Sequence, residues 1–450
     1  MTQSPCTTVR DTTSMCPVCM LSVPGNLVID EDGAWLHRVC PDHGGYRFQM
    51  SNHGTQYSQL DRFFFETVDG ANPAGRITNY WVFLTQKCQQ KCSYCSVNVE
   101  APWCTDMSAA DFDEVLARYA GTKLTLSGGE PTMHPLCLEF FRAARQKGVT
   151  TQIATNGLRL SDPEFCAQLK SSGVSEVRLS FEYWEEHSTD DCAGTVRHRE
   201  TKRRAVENCL EAGLSVILSP TIMKGHNENT LIEALQYAAG KTGVKELSVN
   251  GFSWNGSGTA LDKRMMIMPD EMVDIIHKAY GGDRDSYYTL AKAMFAALHL
   301  LNIRLCLYTQ VLLFVRSKGA LRPINEFLNM RRMKRGIAAW SRFARLPRPL
   351  SLLCFSLCMM PALSMRSLGL IPALTGLLVS NLVQVKIYKY PDRLLPVVLN
   401  TNCSPLNADE AVVPRCMSGN LFMIDGTLTE GVSSLTLRNR VPRGNTEPST

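Results

Sequence analysis

The chain lacks an apolar core in its opening stretch. MTQSPCTTVRDTTSMCPVC scatters threonines and cysteines where a secretion signal places an unbroken hydrophobic segment. The expectation is a cytoplasmic protein. Net charge is also scarce, +5 over 450 residues, which is too little to argue for nucleic acid. No internal repeat appears beyond an alternation of strand and helix patterns. What remains, 44% hydrophobic and 20% charged residues, is ordinary for a soluble globular chain long enough for two or three domains.

Cysteine is the residue in excess. There are seventeen, an odd number with clustered spacings. A secreted disulfide scaffold would normally be shorter and would follow a signal peptide. In a reducing compartment the pattern reads as metal ligands plus scattered buried thiols. Cys6, Cys137, Cys166, Cys192 and Cys209 are isolated, and Cys137, Cys166 and Cys209 fall in helical patterns that suit a core.

Residues 16–43 form one unit. CPVC supplies Cys16 and Cys19, CPDHG supplies Cys40 and His43, and the intervening LVIDEDGAWLHRV reads as a hairpin turning at Glu31-Asp32-Gly33. Each knuckle aims two ligands at one point. Four N/S ligands suit a tetrahedral ion, either zinc or a rubredoxin-like iron.

From residue 77 to about 281 strand-like runs (77–85, 123–128, 150–156, 175–182, 214–223, 244–252) alternate with helical ones (109–120, 162–172, 199–212, 229–240). Two of the helices follow capping boxes, Ser108 with Asp111 and Ser161 with Glu164. Six such units predict a parallel α/β sheet, open or barrel-like. After residue 285 the pattern turns mainly helical. Phe327–Arg348 holds seven Lys/Arg and no acid, and two apolar stretches follow, 349–365 and 367–385. Internal Pro and Gly weaken a membrane-spanning reading of the second. A buried helical pair, or a surface lying against lipid head groups, suits them better, though a basic run is usually just a solvated face. The last fifteen residues look disordered.

Cys88, Cys92 and Cys95 stand in C-x3-C-x2-C spacing just after the first strand, where α/β folds gather their active sites. A zinc site would want a fourth ligand, and only Cys104 is near. Three thiolates on a four-iron cluster would leave one iron open to substrate. One strand later comes LTLSGGEPTMHP, whose Gly128 and Gly129 free the backbone for close approach beside the carboxylate of Glu130.

Together these motifs resemble the radical S-adenosylmethionine enzymes. The first matches their cysteine triad, with Tyr94 before the last cysteine, and Ser127-Gly-Gly-Glu-Pro131 matches their second mark. The resemblance covers about residues 77–255. It implies a partial (βα)6 TIM-like barrel between a small metal-knuckle domain and a mainly helical C-terminal region. The boundaries expected are 1–66, 67–285, 286–435 and a tail, 436–450. It implies a 4Fe-4S cluster on Cys88, Cys92 and Cys95, S-adenosylmethionine, and a flavodoxin- or ferredoxin-type reductant. Gly128, Gly129, Glu130 and Pro131 would lie at the methionine end. Asn156, Ser180 and Glu182 fall where the family places ribose and carboxylate contacts. Thr221 and Asn227 follow on the same rim, though a Ser, Thr or Asn at a strand end is often only a turn residue. Trp254 in the WNGSG loop could wall a pocket or simply pack.

The N-terminal knuckles resemble the subgroup of archaeal tetraether lipid synthase, a class also linked to pterin methylation. That resemblance implies auxiliary iron–sulfur clusters. Candidate ligands are Cys306, Cys354, Cys358, Cys403 and Cys416, although Cys354 and Cys358 lie in an apolar run where buried cysteine is ordinary. The twin-cluster signature of peptide-modifying relatives is absent, and no cobalamin-binding domain fits before the barrel. Three readings follow: a radical enzyme on an apolar or membrane-derived substrate, touching the membrane peripherally; a methylase or modifier of a small soluble molecule such as a pterin; and a non-catalytic metal- or nucleic-acid-binding scaffold, which the complete triad and GGEP oppose.

Overall fold

Two sheets organise the chain in the computed structural model. It describes residues 6–69, 75–96, 105–182, 198–304, 306–370, 372, 392–416, 418–424 and 426–431. Cys104, Cys192, most of 367–385 and the 436–450 tail lie outside them.

The first sheet is a four-stranded antiparallel ribbon: β1 (Thr7–Met15), β2 (Ser22–Asp30), β3 (Gly33–Cys40) and β4 (Gly44–Ser51). The β2–β3 hairpin turns at 31–32 as expected. Gly33 is required there, because its φ is +143° and a Cβ would stand 2.1 Å from the Ser51 carbonyl oxygen. Helix α1 (Gly54–Arg62) follows.

The second sheet carries the α/β alternation. It runs β5 (Asn79–Thr85), α2 (Ala109–Arg118), β6 (Lys123–Gly128), α3 (Cys137–Gln146), β7 (Thr151–Thr155), α4 (Pro163–Ser172), β8 (Glu176–Leu179), α5 (Arg199–Glu211), β9 (Ser215–Leu218), β10 (Thr221–Ile222), α6 (Asn229–Ala239) and β11 (Val244–Gly251). All six expected strands form, the fifth split around Pro220. The capping box at Ser108 forms. At α4 the cap is instead Asp162, whose side chain accepts from the Glu164 N–H, because Pro163 takes the first helical position.

The C-terminal part is helical over α7 (Pro269–Tyr280), α8 (Arg284–Leu300), α9 (Met330–Trp340) and α10 (Arg348–Met359). It also contributes strands that the mainly helical expectation missed: β12 (Thr309–Ser317), β13 (Ala320–Pro323), β14 (Leu394–Thr401), β15 (Ser418–Ile424) and β16 (Thr427–Gly431). TQVLLFVRS is a continuous apolar run, and periodicity cannot separate a buried strand from a helix there. β14 joins β11 in parallel and β15 joins β5 in parallel. Eight parallel strands therefore run in the order β15-β5-β6-β7-β8-β9-β11-β14, with antiparallel strands outside them and the ends unpaired to each other. Val82, Leu84, Leu124, Leu126, Ile153, Val177 and Leu179 are wholly buried, as strands with one face under helices require.

The ribbon is seated against the C-terminal helices. His53 Nε2 lies 2.7 Å from Asp274 of α7, and Asp270 in the first turn of α7 is fully buried beside the Ser51 hydroxyl. Burial raises the Asp270 carboxyl to about 7 against the opposing bond from Ser51. A raised folded-state value means that this group's stabilisation is complete below the unfolded value of about 3.8 and is lost as pH climbs through about 7. Asp270→Asn should flatten the pH dependence of stability across that window. Urea midpoints measured from pH 4 to pH 8 read it directly, and an unchanged slope would contradict it.

Candidate active site and metal centre

The four knuckle residues meet at one point. Cys16 Sγ is 3.8 Å and Cys40 Sγ 3.4 Å from His43 Nδ1, and Cys19 and Cys40 Sγ are 3.9 Å apart. All four ligand atoms lie within 4.8 Å of one another. A tetrahedral ion with metal–sulfur bonds near ~2.3 Å spaces its sulfurs by about 3.8 Å, so the donor set fits such an ion.

The ribbon grips the far end of the chain. Thr12 Oγ1 donates to Asp409 at 2.6 Å, Ser14 Oγ to the Ala408 carbonyl at 2.5 Å, and buried Arg38 to the Leu406 carbonyl at 2.8 Å. Arg10 bridges Asp61 and Asp409. The loop so held begins beside Cys403.

Cys88, Cys92 and Cys95 follow β5 and line one end of a cavity of about 1210 Å³. Gly128 and Gly129 pack the next loop onto theirs. The N–H groups of Gly129 and Glu130 are spent on this seam: Gly129 donates to Thr85 O and Glu130 to Lys87 O, each at 2.8 Å. A Cβ on Gly128 would stand 2.2 Å from Thr85 O, and φ there is +145°. Close backbone approach is thus made first to the cysteine loop, while both glycines also line the cavity. The loop at 253–257 braces the triad from the other side, with Ser257 N–H donating to Cys95 O at 3.0 Å.

Glu130 differs from expectation. Its carboxylate is wholly buried, is absent from the cavity lining, and accepts from Thr132 N (3.1 Å), Thr132 Oγ1 (2.7 Å), Thr155 Oγ1 (2.7 Å) and Asn156 N (2.8 Å). It ties two strand ends together instead of facing the methionine end. Burial raises its pKa, and these four bonds oppose the rise. Pro131 likewise opens a short turn outside the lining. Asn227 is a turn residue that accepts from Met223 N and donates to Thr221 O. Trp254 donates to Leu261 O and packs against the cluster of Met223, Phe252, Met266 and Leu406, outside the cavity lining.

Tyr94, Asn156, Ser180, Glu182 and Thr221 do line the cavity. Asn156 Nδ2 is 3.9 Å from Cys88 Sγ. Burial pushes the Cys92 thiol up to about 12, with Glu182 adding to the rise and Lys202 opposing it. Lys202 is buried on α5, 3.6 Å from the Glu182 carboxylate and donating to Ser180 O at 2.8 Å.

Sequence reasoning missed several polar groups on this wall. Gln86 Oε1, Gln90 Nε2, Gln152 Oε1 and Arg178 Nε are buried without a hydrogen-bond partner among the described residues, and all four residues line the cavity. Unpartnered buried polar atoms are rare. Four in one cavity fit a polar occupant, and Gln86 and Gln90, beside the triad, are placed for one such as S-adenosylmethionine. Gln90 lay inside the cysteine motif, and Gln152 and Arg178 alternate with core positions on their strands; a period-2 reading could have flagged them.

The three thiols share one loop at the cavity end, but among the described residues they form no close single-ion group, alone or with a fourth Cys, His or carboxylate. That donor set fits an iron–sulfur cluster with one open iron. Cys306, Cys403 and Cys416 line the same cavity. Burial raises Cys306 to about 12, with Cys416 adding, and raises Cys403 with Cys306 and Cys416 adding. Cys354 and Cys358 sit on α10 packed against the core, outside the lining. Cys137, Cys166 and Cys209 are buried core thiols.

Away from the cysteines the cavity changes character. Met294, Ala297, Leu298 and Leu301 of α8, Val311 and Leu313 of β12, and Leu352, Phe355 and Met359 of α10 form an apolar arm.

Residues 82–238 match the Radical SAM superfamily, and residues 8–51 match the HMPTM N-terminal zinc ribbon domain. The chain is 24% identical over 364 residues to the 7,8-dihydro-6-hydroxymethylpterin dimethyltransferase of Methanocaldococcus jannaschii, 71% of each chain. It is 24% identical over 221 residues to the GTP 3',8-cyclase of Campylobacter curvus (47% of this chain, 66% of that one). It is 34% identical over 146 residues to the Fe-coproporphyrin III synthase of Methanosarcina barkeri (31% and 36%). Beyond the first of these, the chain spans two thirds or less of the relative's length. With cysteine motif, parallel sheet and family matches in agreement, the chain is an enzyme that carries a radical SAM domain behind an N-terminal zinc ribbon domain.

Proposed function

We propose that this enzyme abstracts hydrogen from a long apolar substrate, for carbon–carbon bond formation or a related modification. One observation carries the substrate class: the apolar arm that continues the cavity away from the cysteines. Ordinary small-molecule sites occupy roughly 300–1,000 Å³, and a cavity of about 1210 Å³ exceeds that range.

Cys88, Cys92 and Cys95 would hold a 4Fe-4S cluster, which when bound supplies the electron that cleaves S-adenosylmethionine to methionine and a 5′-deoxyadenosyl radical. The chain's own residues bind and orient. Glu182, fixed by Lys202, presents an acceptor oxygen to a hydroxyl or ammonium donor. Asn156 and Ser180 offer polar contacts between it and the triad. The glycine seam fixes the cysteine loop, and the apolar arm aligns an alkyl chain and excludes water from it. Cys306, Cys403 and Cys416 are the set we assign to an auxiliary iron–sulfur group. Their shared wall and mutual charge effect support this.

Filling the arm tests the substrate class. Ala297→Phe should cut turnover of a long-chain substrate about tenfold or more, by overpacking, while leaving cleavage of S-adenosylmethionine without substrate near the unsubstituted rate. Equal turnover by both proteins would remove the apolar reading.

A second reading, modification of a pterin, rests on the pterin dimethyltransferase similarity and the ribbon family. Under it Ala297→Phe is silent, and a methylated pterin appears with consumption of a methyl donor.

A further inference from the structure

Twelve large apolar side chains stand exposed among the described residues, and eight of them lie between Phe343 and Met365. They are not scattered. Leu350, Leu353 and Leu357 follow the 3-4 spacing of one helical face and are 53–58% exposed. The opposite face of α10 presents Leu352, Phe355 and Met359 to the cavity. The helix is therefore apolar on two sides, one turned into the cavity and one turned out.

Loose packing does not explain the outer face. Trp340 of α9 is wholly buried and donates to Ser351 of α10 at 3.1 Å. Gly336 of α9 lies so close that a Cβ would stand 2.3 Å from the Cys358 carbonyl oxygen. The two helices are locked together, and their lock fixes the outward face.

The rim of that face is basic. Arg331, Arg332, Lys334, Arg335, Arg342, Arg345 and Arg348 are all exposed. Lys334 pairs with Asp285, but the sequence has no acid from residue 327 to residue 391. A protein partner would have to match an apolar stripe and an unbroken cationic border together. An anionic bilayer matches both, since its head groups neutralise the border and its acyl boundary takes the stripe. Among the described residues no helix is long and apolar enough to cross a membrane, so the contact is one of lying on the surface.

We propose that the outer face of α10, with the basic rim of α9 and the 341–348 turn, docks on an anionic lipid bilayer and sets the apolar arm of the cavity at the membrane, where a long-chain substrate enters. The entry route rests on the apolar-substrate reading above; the docking does not.

Flotation of the reconstituted full-length enzyme with vesicles tests it, comparing pure phosphatidylcholine with phosphatidylcholine containing one-third phosphatidylglycerol. Binding should require the anionic lipid and weaken with salt. Replacing both Arg342 and Arg345 with Gln should weaken it about 25-fold at low salt, roughly fivefold for each charge. Replacing Leu350, Leu353 and Leu357 with Gln should abolish it. None of these side chains lines the cavity, so both variants should cleave S-adenosylmethionine in solution at the unsubstituted rate. Failure of the enzyme to float with either vesicle at low salt overturns the proposal, as does undiminished flotation of both variants. So does a dimer in which a Leu353→Cys thiol is shielded from alkylation. Flotation that behaves as stated, with Ala297→Phe silent on turnover, leaves the docking standing and removes the substrate reading alone.

Discussion

Cys92→Ala should abolish reductive cleavage of S-adenosylmethionine. Loss of a group that merely orients a metal ligand costs roughly 10–100-fold, and loss of one of three ligands exceeds that. Cys92 is half-buried at the cavity end, where its thiol feels the Glu182–Lys202 pair and both partner thiols. Its burial keeps a free thiol protonated, so the thiolate needs the compensating charge of iron. Alanine removes the ligand without disturbing the brace on this loop, since Ser257 N–H bonds the Cys95 carbonyl. The variant should fold, lose the iron and visible absorption of one cluster after anaerobic reconstitution, and give no 5′-deoxyadenosine. Normal 5′-deoxyadenosine formation would exclude the triad as the seat of chemistry. A parallel Cys403→Ala separates the two thiol sets. It should lose iron from the auxiliary group while the triad's iron remains.

The parts of this site legible in the sequence are those whose chemistry is local. A C-x3-C-x2-C loop is a single turn, and two knuckles across a hairpin converge because a hairpin brings its ends together. Glu130 was legible as important but misplaced in role. Nothing in SGGEP says whether the carboxylate turns toward the cavity or toward Thr132, Thr155 and the Asn156 N–H. Twenty-five residues of chain separate Glu130 from the strand end that claims it. Strands β14 and β15 were hidden for the same reason, since each becomes a strand only by pairing in parallel with β11 and β5, more than a hundred residues away. The two-faced α10 read correctly as apolar. That one of its faces lines the cavity depends on α8 and β12, which no local pattern can supply.

Stripping the ribbon's metal should have the largest effect on stability. A structural zinc in a small knuckle contributes about 10–16 kcal/mol of binding free energy, and Cys16, Val23 and Cys40 are the whole buried apolar cluster around this site. Leu27, Ala34, Leu36 and Met50 join the main core, but the knuckle end has little beyond this cluster and leans on its ion. Its loss also reaches the cavity, because β1 and β3 hold the 406–410 segment through Thr12, Ser14 and Arg38. Arg38 is the sensitive link. Its guanidinium is 2% exposed and burial lowers its pKa to about 10, so it stays in place only while the ribbon and loop are both assembled. Cys40→Ser, or chelation of the native protein, should therefore lower the thermal midpoint and raise amide exchange in two places: within 7–51 and at 404–410, about 360 residues away in sequence. The triad loop shares the 253–257 loop with Cys403 but is also held by the Gly128–Gly129 seam, so its exchange should change less. Exchange confined to 7–51, with 404–410 still protected, would show that the ribbon does not position the loop that starts at Cys403. Matched exchange in both would make the metal knuckle a structural support of the cavity wall at Cys403.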